Sequence, residues 1–435
     1  NYYRTQTPAI QLDKDHANDF EVVVNNDLDF NDPETEKYLM GFQIINYHRM
    51  LHPNTNMMVK LAEKLKKNGT KLVVDLDDYW HLDKTHPFYL YTVQNKTHLD
   101  IMDNLKIADY ITTTTELFAE EIRKVTGKDN VIVLPNAVDP SWMLQFKDNW
   151  KPSTDGLMRF NYIGGSSHQA DVEQLTGVVN MLDNNQQTKD KFKMILSGWD
   201  TDGTTTDVQF NQEFGKLLQQ KGLWTQKIVK QINNCNNNID LIDIPSEIKN
   251  TFRDKVFLTN QRKLRSDESV YFLYENILTY NHGLIKDKDY LKWLNTFTND
   301  KYNNEGNYAR RWTRKANVYA EVYNETDVSL APLKDTKFNR MKSCLKQVEA
   351  WSRKIATICT DIPPYNVDGV NMKNTILIPY TKNSHKYWFK AMKKLINEPN
   401  LREDLGNQLH EDFKEKYHLA HVTNNRAGFY KSIID

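Results

Sequence analysis

Lys342, Lys346 and Glu349 fall in the stretch Phe338 to Tyr365, FNRMKSCLKQVEAWSRKIATICTDIPPY. It reads as a helix from about Asn339 or Arg340 to Arg353, then a short apolar strand over Ile355 to Cys359. Asp361, Ile362, Pro363 and Pro364 end that strand in a turn. On one helix the three side chains stand at i, i+4 and i+7 and share a face, with Leu345 and Val348 turned toward a core. Two ammonium groups one turn apart near a helix start suit a diphosphate, because the unpaired N–H groups and the helix dipole also favour anions there. Arg340 adds a third positive charge. A carboxylate one turn deeper suits both hydroxyls of a ribose. The spacing alone leaves a solvated Lys/Glu face with one intrahelical ion pair as the alternative.

Two further groups of residues have types suited to chemistry. His48 and Arg49 follow the apolar run FQIIN, and Asp75, Asp77 and Asp78 follow Lys71 to Val74. Each group falls at the carboxyl end of an expected strand, where parallel sheets hold their ligands; Asn136 falls at a third such end. The Asp cluster reads as an acceptor contact, a helix cap at Asp75, or a divalent-ion site that lacks a further ligand. The loop Gly164-Gly165-Ser166-Ser167-His168 lies between an expected strand and helix. Its glycines would let backbone N–H groups approach a phosphate, and a plain tight turn reads equally well.

The elements that must carry these residues alternate. Strands are expected at Phe20 to Val24, Phe42 to Asn46, Lys71 to Val74, Tyr110 to Thr114 and Val131 to Leu134. Helices are expected at Met57 to Lys67, His98 to Ile107 and Leu117 to Val125. A linker over Pro140 to Asp155 leads to a second unit with strands at Met158 to Ile163 and Lys193 to Ser197 and a helix at Asp171 to Leu182. Alternation lapses from about Thr201 to Asn317, then resumes at Val328 to Ala331 and Ile376 to Pro379. Helices near Ser384 to Asn397, Leu401 to Tyr417 and His421 to Ile434 close the chain. Inside the lapse, Gly306 to Tyr323 reads as a basic helix bearing Arg310, Arg311, Arg314 and Lys315. The expectation is an α/β chain of two Rossmann-like units. They are residues 1–150, and 151–415 with an α-rich insertion at 201–317. Residues 416–435 form a last helix that packs back on the first unit.

Composition narrows the function. The chain has 435 residues, with Lys+Arg 57 and Asp+Glu 57, so its net charge is zero. That argues against a strongly basic nucleic-acid binder. No apolar run approaches a membrane span of ~20 residues. Three cysteines, Cys235, Cys344 and Cys359, lack metal-ligand spacing and fit a reducing cytoplasm. Asn1 is not a Met, and Tyr2-Tyr3-Arg4 reads as the middle of something, so a first strand is expected upstream.

An ordered set of motifs now carries a likeness: YYR, INYHRMLHP, VVDLDDYWHL, ADYITTTTELFAEEI, VIVLPNAVDPSW, NYIGGSSHQADVE, MILSGWD, YARRWTRKANVYAEVYNETDVSLAPL and FNRMKSCLKQVEA. The chain resembles GT-B glycosyltransferases of the retaining, nucleotide-sugar type, and within them divergent members of bacteriophages and Bacteroidetes. The resemblance implies an N-terminal acceptor unit facing a C-terminal donor unit across a cleft. It implies that Glu349 matches the second of a glutamate pair and holds the ribose, while the first falls at Met341. It implies that Lys342, Ser343 and Lys346 neutralise the departing diphosphate. Gly164, Gly165 and Ser166 match the glycine turn, His168 and Asp171 a polar pair beside it, and His48 a histidine near the transferred sugar. Arg49, Asp75, Asp77 and Asp78 fall on the acceptor side.

The function expected is a metal-independent hexosyl- or pentosyltransferase moving a sugar from a nucleoside-diphosphate sugar to an acceptor hydroxyl with retention. The acceptor is a glycan, a protein or a hydroxylated base in phage DNA, in the last case in a host cytoplasm. The rival is a degenerate module of the same fold that binds a nucleotide or glycan without catalysis.

Overall fold

The computed structural model describes residues 2–434 apart from 53, 85, 87, 144–154, 165–167, 200–213, 235–238, 251–277, 279–307 and 313–318. Two parallel sheets organise them. The first runs β1 (Ile44–His48), β2 (Lys71–Leu76), β3 (Tyr110–Thr113) and β4 (Val131–Val133), in that spatial order. The second contains β5 (Met158–Ile163), β6 (Phe192–Trp199), β7 (Tyr308–Trp312), β8 (Val328–Ala331), β9 (Ala356–Thr360) and β10 (Ile376–Ile378). Their spatial order is β10-β9-β8-β5-β6-β7. Every pairing is parallel. Helices cover both faces, so β8 and β9 are buried at every position.

The local signals are strong in the first unit. Asn54 caps helix Thr55–Lys67 through the Met57 amide, and Thr115 caps helix Glu116–Thr126 through the Phe118 amide. Gly127, at φ 71°, ends the latter helix in the left-handed region. One cluster centred on Leu65, Val74, Leu105, Ile111 and Phe118 forms the first core. Another, with Phe160, Phe192, Leu330, Ile358 and Trp388, lies under the second sheet. The chain ends cross over. Leu12 of helix Thr7–Asp15 and Ala427, Tyr430 and Ile433 of helix Leu419–Ile434 pack with Val73 of β2.

In the second sheet the chain moves outward from β5 through β6 to β7, returns to β8 beside β5, and continues outward the other way to β10. The loops after β5 and β8 therefore part in opposite directions. Such a switch point opens a crevice beyond the strand ends.

Four sequence expectations are corrected. Phe20 to Val24 forms no strand; Phe20 docks edge-on against Tyr430, with ring centroids 6.2 Å apart, rather than joining the sheet. The helix expected over Gly306 to Tyr323 instead holds β7, and a 3-10 turn spans Tyr319–Glu325. The open edge of β6 satisfies that backbone, and tertiary context overrides propensity. The expected Asp171 to Leu182 helix divides into Gln169–Val172, the 3-10 turn Glu173–Leu175 and Val178–Asp183, with Gly177 at φ 72° before the last.

The fourth correction concerns Phe338 to Arg353. One helix covers Lys337–Arg340, capped by Thr336, and a second covers Leu345–Trp351. Met341 and Cys344 would share a face of a continuous helix. Met341 instead belongs to the core of the first unit, and Cys344 to the cluster joining Val348, Trp351 and Phe413. The chain breaks between them to serve both. Most of the expected insertion, including Cys235, Arg314 and Lys315, lies outside the described residues.

Helix Pro399–Phe413 runs so close to the turn at Lys354 that a Cβ at Gly406 would lie 1.9 Å from the Lys354 carbonyl oxygen. Gly406→Ala should therefore lower the melting temperature by an amount equivalent to about 1–3 kcal/mol. Gly428→Ala, with nothing within 4 Å, should leave it unchanged or raise it by up to about 1 kcal/mol. Equal melting temperatures for the two variants would contradict this packing.

Candidate functional site

The site begins at the ends of β1 and β2. His48 is the last residue of β1 and registers opposite Asp75, which in turn registers opposite Thr112 of β3. Arg49 follows with φ 61°, a left-handed backbone unusual for a non-glycine residue. Its amide bonds the Asp75 carbonyl at 2.9 Å. His48 Nε2 lies 2.8 Å from Asp77 Oδ1, and the Arg49 guanidinium reaches Asp77 and Asp78, each at 3.2 Å. Burial alone would raise the Asp77 carboxyl. The His48 hydrogen bond and the charges of His48, Arg49 and Arg4 instead hold it below the ordinary carboxylate range.

Asp75, expected on the acceptor side, has no solvent exposure. Arg4 clamps it through Nε at 3.0 Å and a terminal nitrogen at 2.6 Å, and Thr112 Oγ1 donates at 2.6 Å. It is thus a structural carboxylate, closed off from an acceptor. The same guanidinium donates to the Leu134 carbonyl at 2.6 Å and to Asn136 Oδ1 at 3.2 Å. Asn136 donates onward to Ser343 Oγ at 2.7 Å, across to the second unit. Removing one partner of so buried a pair costs about 3–5 kcal/mol.

A second buried network surrounds Glu349, which also has no exposure. Its carboxylate accepts from Tyr3 at 3.0 Å, Tyr323 at 2.7 Å and the Lys346 ammonium at 3.1 Å. Burial pushes the Glu349 carboxyl up to about 8, against the Tyr3 hydrogen bond. Burial, then the charge of Lys342, brings the Lys346 ammonium down to about 8. The low-dielectric surroundings oppose both charges. Glu349 is thus enclosed rather than open toward a ribose. Met341, where the wider pattern has a glutamate, is an apolar side chain in the core of the first unit.

At the switch point, Asp171 ties three loops together. It accepts from the Lys334 amide at 2.6 Å and from Asn339 Nδ2 at 3.1 Å, and its other oxygen lies 2.7 Å from His168 Nδ1. A neutral His168 carries its proton on Nδ1, because the carboxylate can only accept. Gly164 has a packing reason to lack a side chain: its Cβ would meet the buried Tyr162 ring, 2.4 Å from the hydroxyl. Gly165 and Ser166 lie outside the described residues. Arg340 folds back onto Asp335, at 2.5 and 2.8 Å, and so is engaged at the surface rather than in the cleft.

The two units enclose a cavity of about 460 Å³. Its N-terminal wall includes Arg49, Asp78, Asp83, His86, Phe88 and Tyr91; its C-terminal wall includes His168, Lys334, Phe338 and Lys342. His86 and Phe338 meet across it with ring centroids 4.7 Å apart. Lys337 pairs with Glu121 of the first unit at 2.6 Å. Burial, then the charge of Lys342, lowers the His86 imidazole below its ordinary value. Among the described residues no group of three His, Cys, Asp or Glu side chains is arranged to hold a metal ion. Among them, too, no helix is long and apolar enough to cross a membrane.

Solved structures share this architecture. A glycosyltransferase from Rickettsia africae superposes with a TM-score of 0.50 at 10% identity, over 98% of this chain and 87% of that one. Anabaena HepE in complex with UDP-glucose gives 0.50 at 9%, over 95% and 85%. Sucrose-phosphate synthase from Thermosynechococcus elongatus gives 0.50 at 10%, over 92% and 78%. The chain has the GT-B fold. No family model and no curated protein matches it. Likeness at such identity establishes architecture, and the chemistry must be argued from the site.

Sequence reasoning brought His48, Arg49, Asp77 and Asp78 to one edge of the cleft and His168, Asp171 and Lys342 to the other. It missed Tyr3 and Arg4 as partners, 346 and 71 positions from the carboxylates they hold. No local pattern announces such a pair. It also missed Lys334, Asn339 and Tyr323; the Pro332-Leu333 strand end was the available signal for the first.

A raised Glu349 pKa means that the native state keeps a proton the unfolded chain releases. The stability this contributes is full below the ordinary carboxyl range and is lost as pH rises toward about 8. Glu349→Gln cannot titrate. The melting temperature of the wild type relative to Glu349→Gln should therefore fall steadily from about pH 5 to about pH 8. A constant difference would mean that Glu349 is not held protonated.

Proposed function

We propose that the protein transfers a sugar from a nucleoside-diphosphate sugar to an acceptor hydroxyl, with retention and without a metal ion. The observation that carries this reading is the polarity of the cleft. Lys334 and Lys342 line one wall at the switch-point loops, and Lys346 stands close enough to Lys342 for its ammonium to feel that charge. Cations on preorganised loops favour the charge that develops on a leaving diphosphate. The UDP-glucose bound in the HepE complex makes uridine a first candidate for the nucleotide.

In this mechanism the bond from the anomeric carbon to the β-phosphate oxygen breaks, and the acceptor oxygen bonds to that carbon. The acceptor's proton passes to the departing phosphate. Lys342 and Lys346 hold the diphosphate. Glu349, with Tyr3 and Tyr323, orients Lys346. His168, fixed by Asp171, presents Nε2 as a hydrogen-bonding group beside the donor. His48, held by Asp77, serves the sugar from the opposite side.

A second reading, a nucleotide- or glycan-binding module without transfer, is favoured by the enclosure of Glu349 and by Met341. The two separate in one experiment. Purified protein is incubated with UDP-, GDP-, CMP- and dTDP-sugars, with and without EDTA, and free nucleotide is measured. Release from one donor, insensitive to EDTA, is expected. Lys342→Ala should lower it by about 10²–10³-fold while the melting temperature holds. Stabilisation by a nucleotide without any release would support the binding module. Release within a few-fold of wild type in Lys342→Ala would overturn the phosphate assignment.

A further inference from the structure

The N-terminal wall of the cleft differs in chemistry from the wall that faces it. Helix Tyr89–Gln94 buries none of its residues. Phe88 before it is 56% exposed and Tyr91 within it 63%, and both line the cavity. Leu90, Val93 and Leu99 continue the exposed apolar surface outward. Rings left in water at the mouth of a polar cleft mark a place where something else covers them.

The flanking charges select what that is. Asp78 and Asp83 line the same wall. Arg49 is neutralised by Asp77 and Asp78 at 3.2 Å each, so its charge is spent within the wall. Burial and the charge of Lys342 keep His86 toward its uncharged form. Asp77 and Asp78 share that one guanidinium and Asp83 adds a third carboxylate, so this side of the cleft keeps more negative than positive charge beside its rings and repels a polyanion, which a nucleic-acid strand would be. An anionic bilayer would likewise need a cluster of basic side chains, whereas this segment carries its exposed lysines, Lys84 and Lys96, singly at its two ends, the first beside Asp83. Carboxylates accept hydrogen bonds from hydroxyl groups, and aromatic faces offer broad apolar area to the C–H faces of flat rings. A sugar ring presents both kinds of surface.

We propose that this wall is the subsite for an uncharged, polyhydroxylated acceptor, a glycan, whose rings lie against Phe88 and Tyr91 while its hydroxyls bond Asp78 and Asp83. The proposal rests on the transferase reading for its role as acceptor site, and names the acceptor class that reading leaves open. It also sets aside a hydroxylated DNA base, whose phosphates would have to pass the acidic side of the cleft.

The test uses the full chain on a printed array of neutral oligosaccharides, with UDP present, followed by titration of the best binder. Phe88→Ala and Tyr91→Ala should each weaken that binding by about tenfold, and Tyr91→Trp should restore it. Because both residues are exposed, melting temperatures should be unchanged, and so should the thermal shift produced by UDP, GDP, CDP or dTDP. The proposal is overturned if no neutral glycan binds, or if the alanine variants bind it as the wild type does. It is overturned equally if those variants lose binding to a DNA duplex or to phosphatidylcholine/phosphatidylglycerol vesicles instead. Glycan binding that depends on Phe88 and Tyr91, without any nucleotide shift, would keep the subsite and defeat the transferase reading. A nucleotide shift without glycan binding would do the reverse.

Discussion

The structure turns on the buried pair between Arg4 and Asp75. Asp75 sits in the middle of the first sheet with no exposure, where a lone carboxylate would be very costly. Arg4 satisfies it with two bonds and spends its third nitrogen on Leu134 and Asn136. Asn136 then reaches Ser343 in the second unit. The preceding residue, Tyr3, bonds Glu349. Two successive residues of the N-terminal segment therefore hold one carboxylate in each half of the molecule. They fix how the strand ends of the two sheets present themselves to the cleft.

On that frame the two walls are built differently. The C-terminal wall is a set of loops tied by one acid, Asp171, which takes the Lys334 amide, Asn339 and His168 together. A buried carboxylate used in this way sets loop geometry without presenting its own charge to a ligand, and the lysines beside it are left to supply the opposite sign. The N-terminal wall consumes its arginine internally and exposes rings and carboxylates. The asymmetry is what the proposed donor and acceptor sides of the cleft rest on.

Much of this was legible in the sequence, and the failures share a cause. Alternation of apolar runs with capped helices located β1 to β6 and β8 to β10, because each of those strands turns at least one apolar face to a core, and β8 and β9 are buried throughout. It failed at Phe20 to Val24, where Phe20 and Val22 pack against the C-terminal helix while Val23 and Val24 stay exposed, and no neighbouring strand pairs with the run. It failed at Met341 to Cys344, where adjacent residues serve two different cores, and at Tyr308 to Trp312, where an open sheet edge decides the backbone. Strand ends brought His48, Asp77 and Asp78 into view as a group. The partners that neutralise Asp75 and Glu349 are distant in the chain, and pairing over such separations leaves no periodic trace.

In the proposed function a nucleoside diphosphate lies against Lys334, Lys342 and Lys346 on the C-terminal side of the cleft. Lysine acetylation footprinting with and without UDP, read by mass spectrometry, checks that placement residue by residue. Nucleotide should protect Lys334, Lys342 and Lys346 while distant exposed lysines such as Lys37 and Lys373 react as before. Protection confined to other lysines, or none under conditions where UDP shifts the melting temperature, would place the nucleotide elsewhere and contradict it.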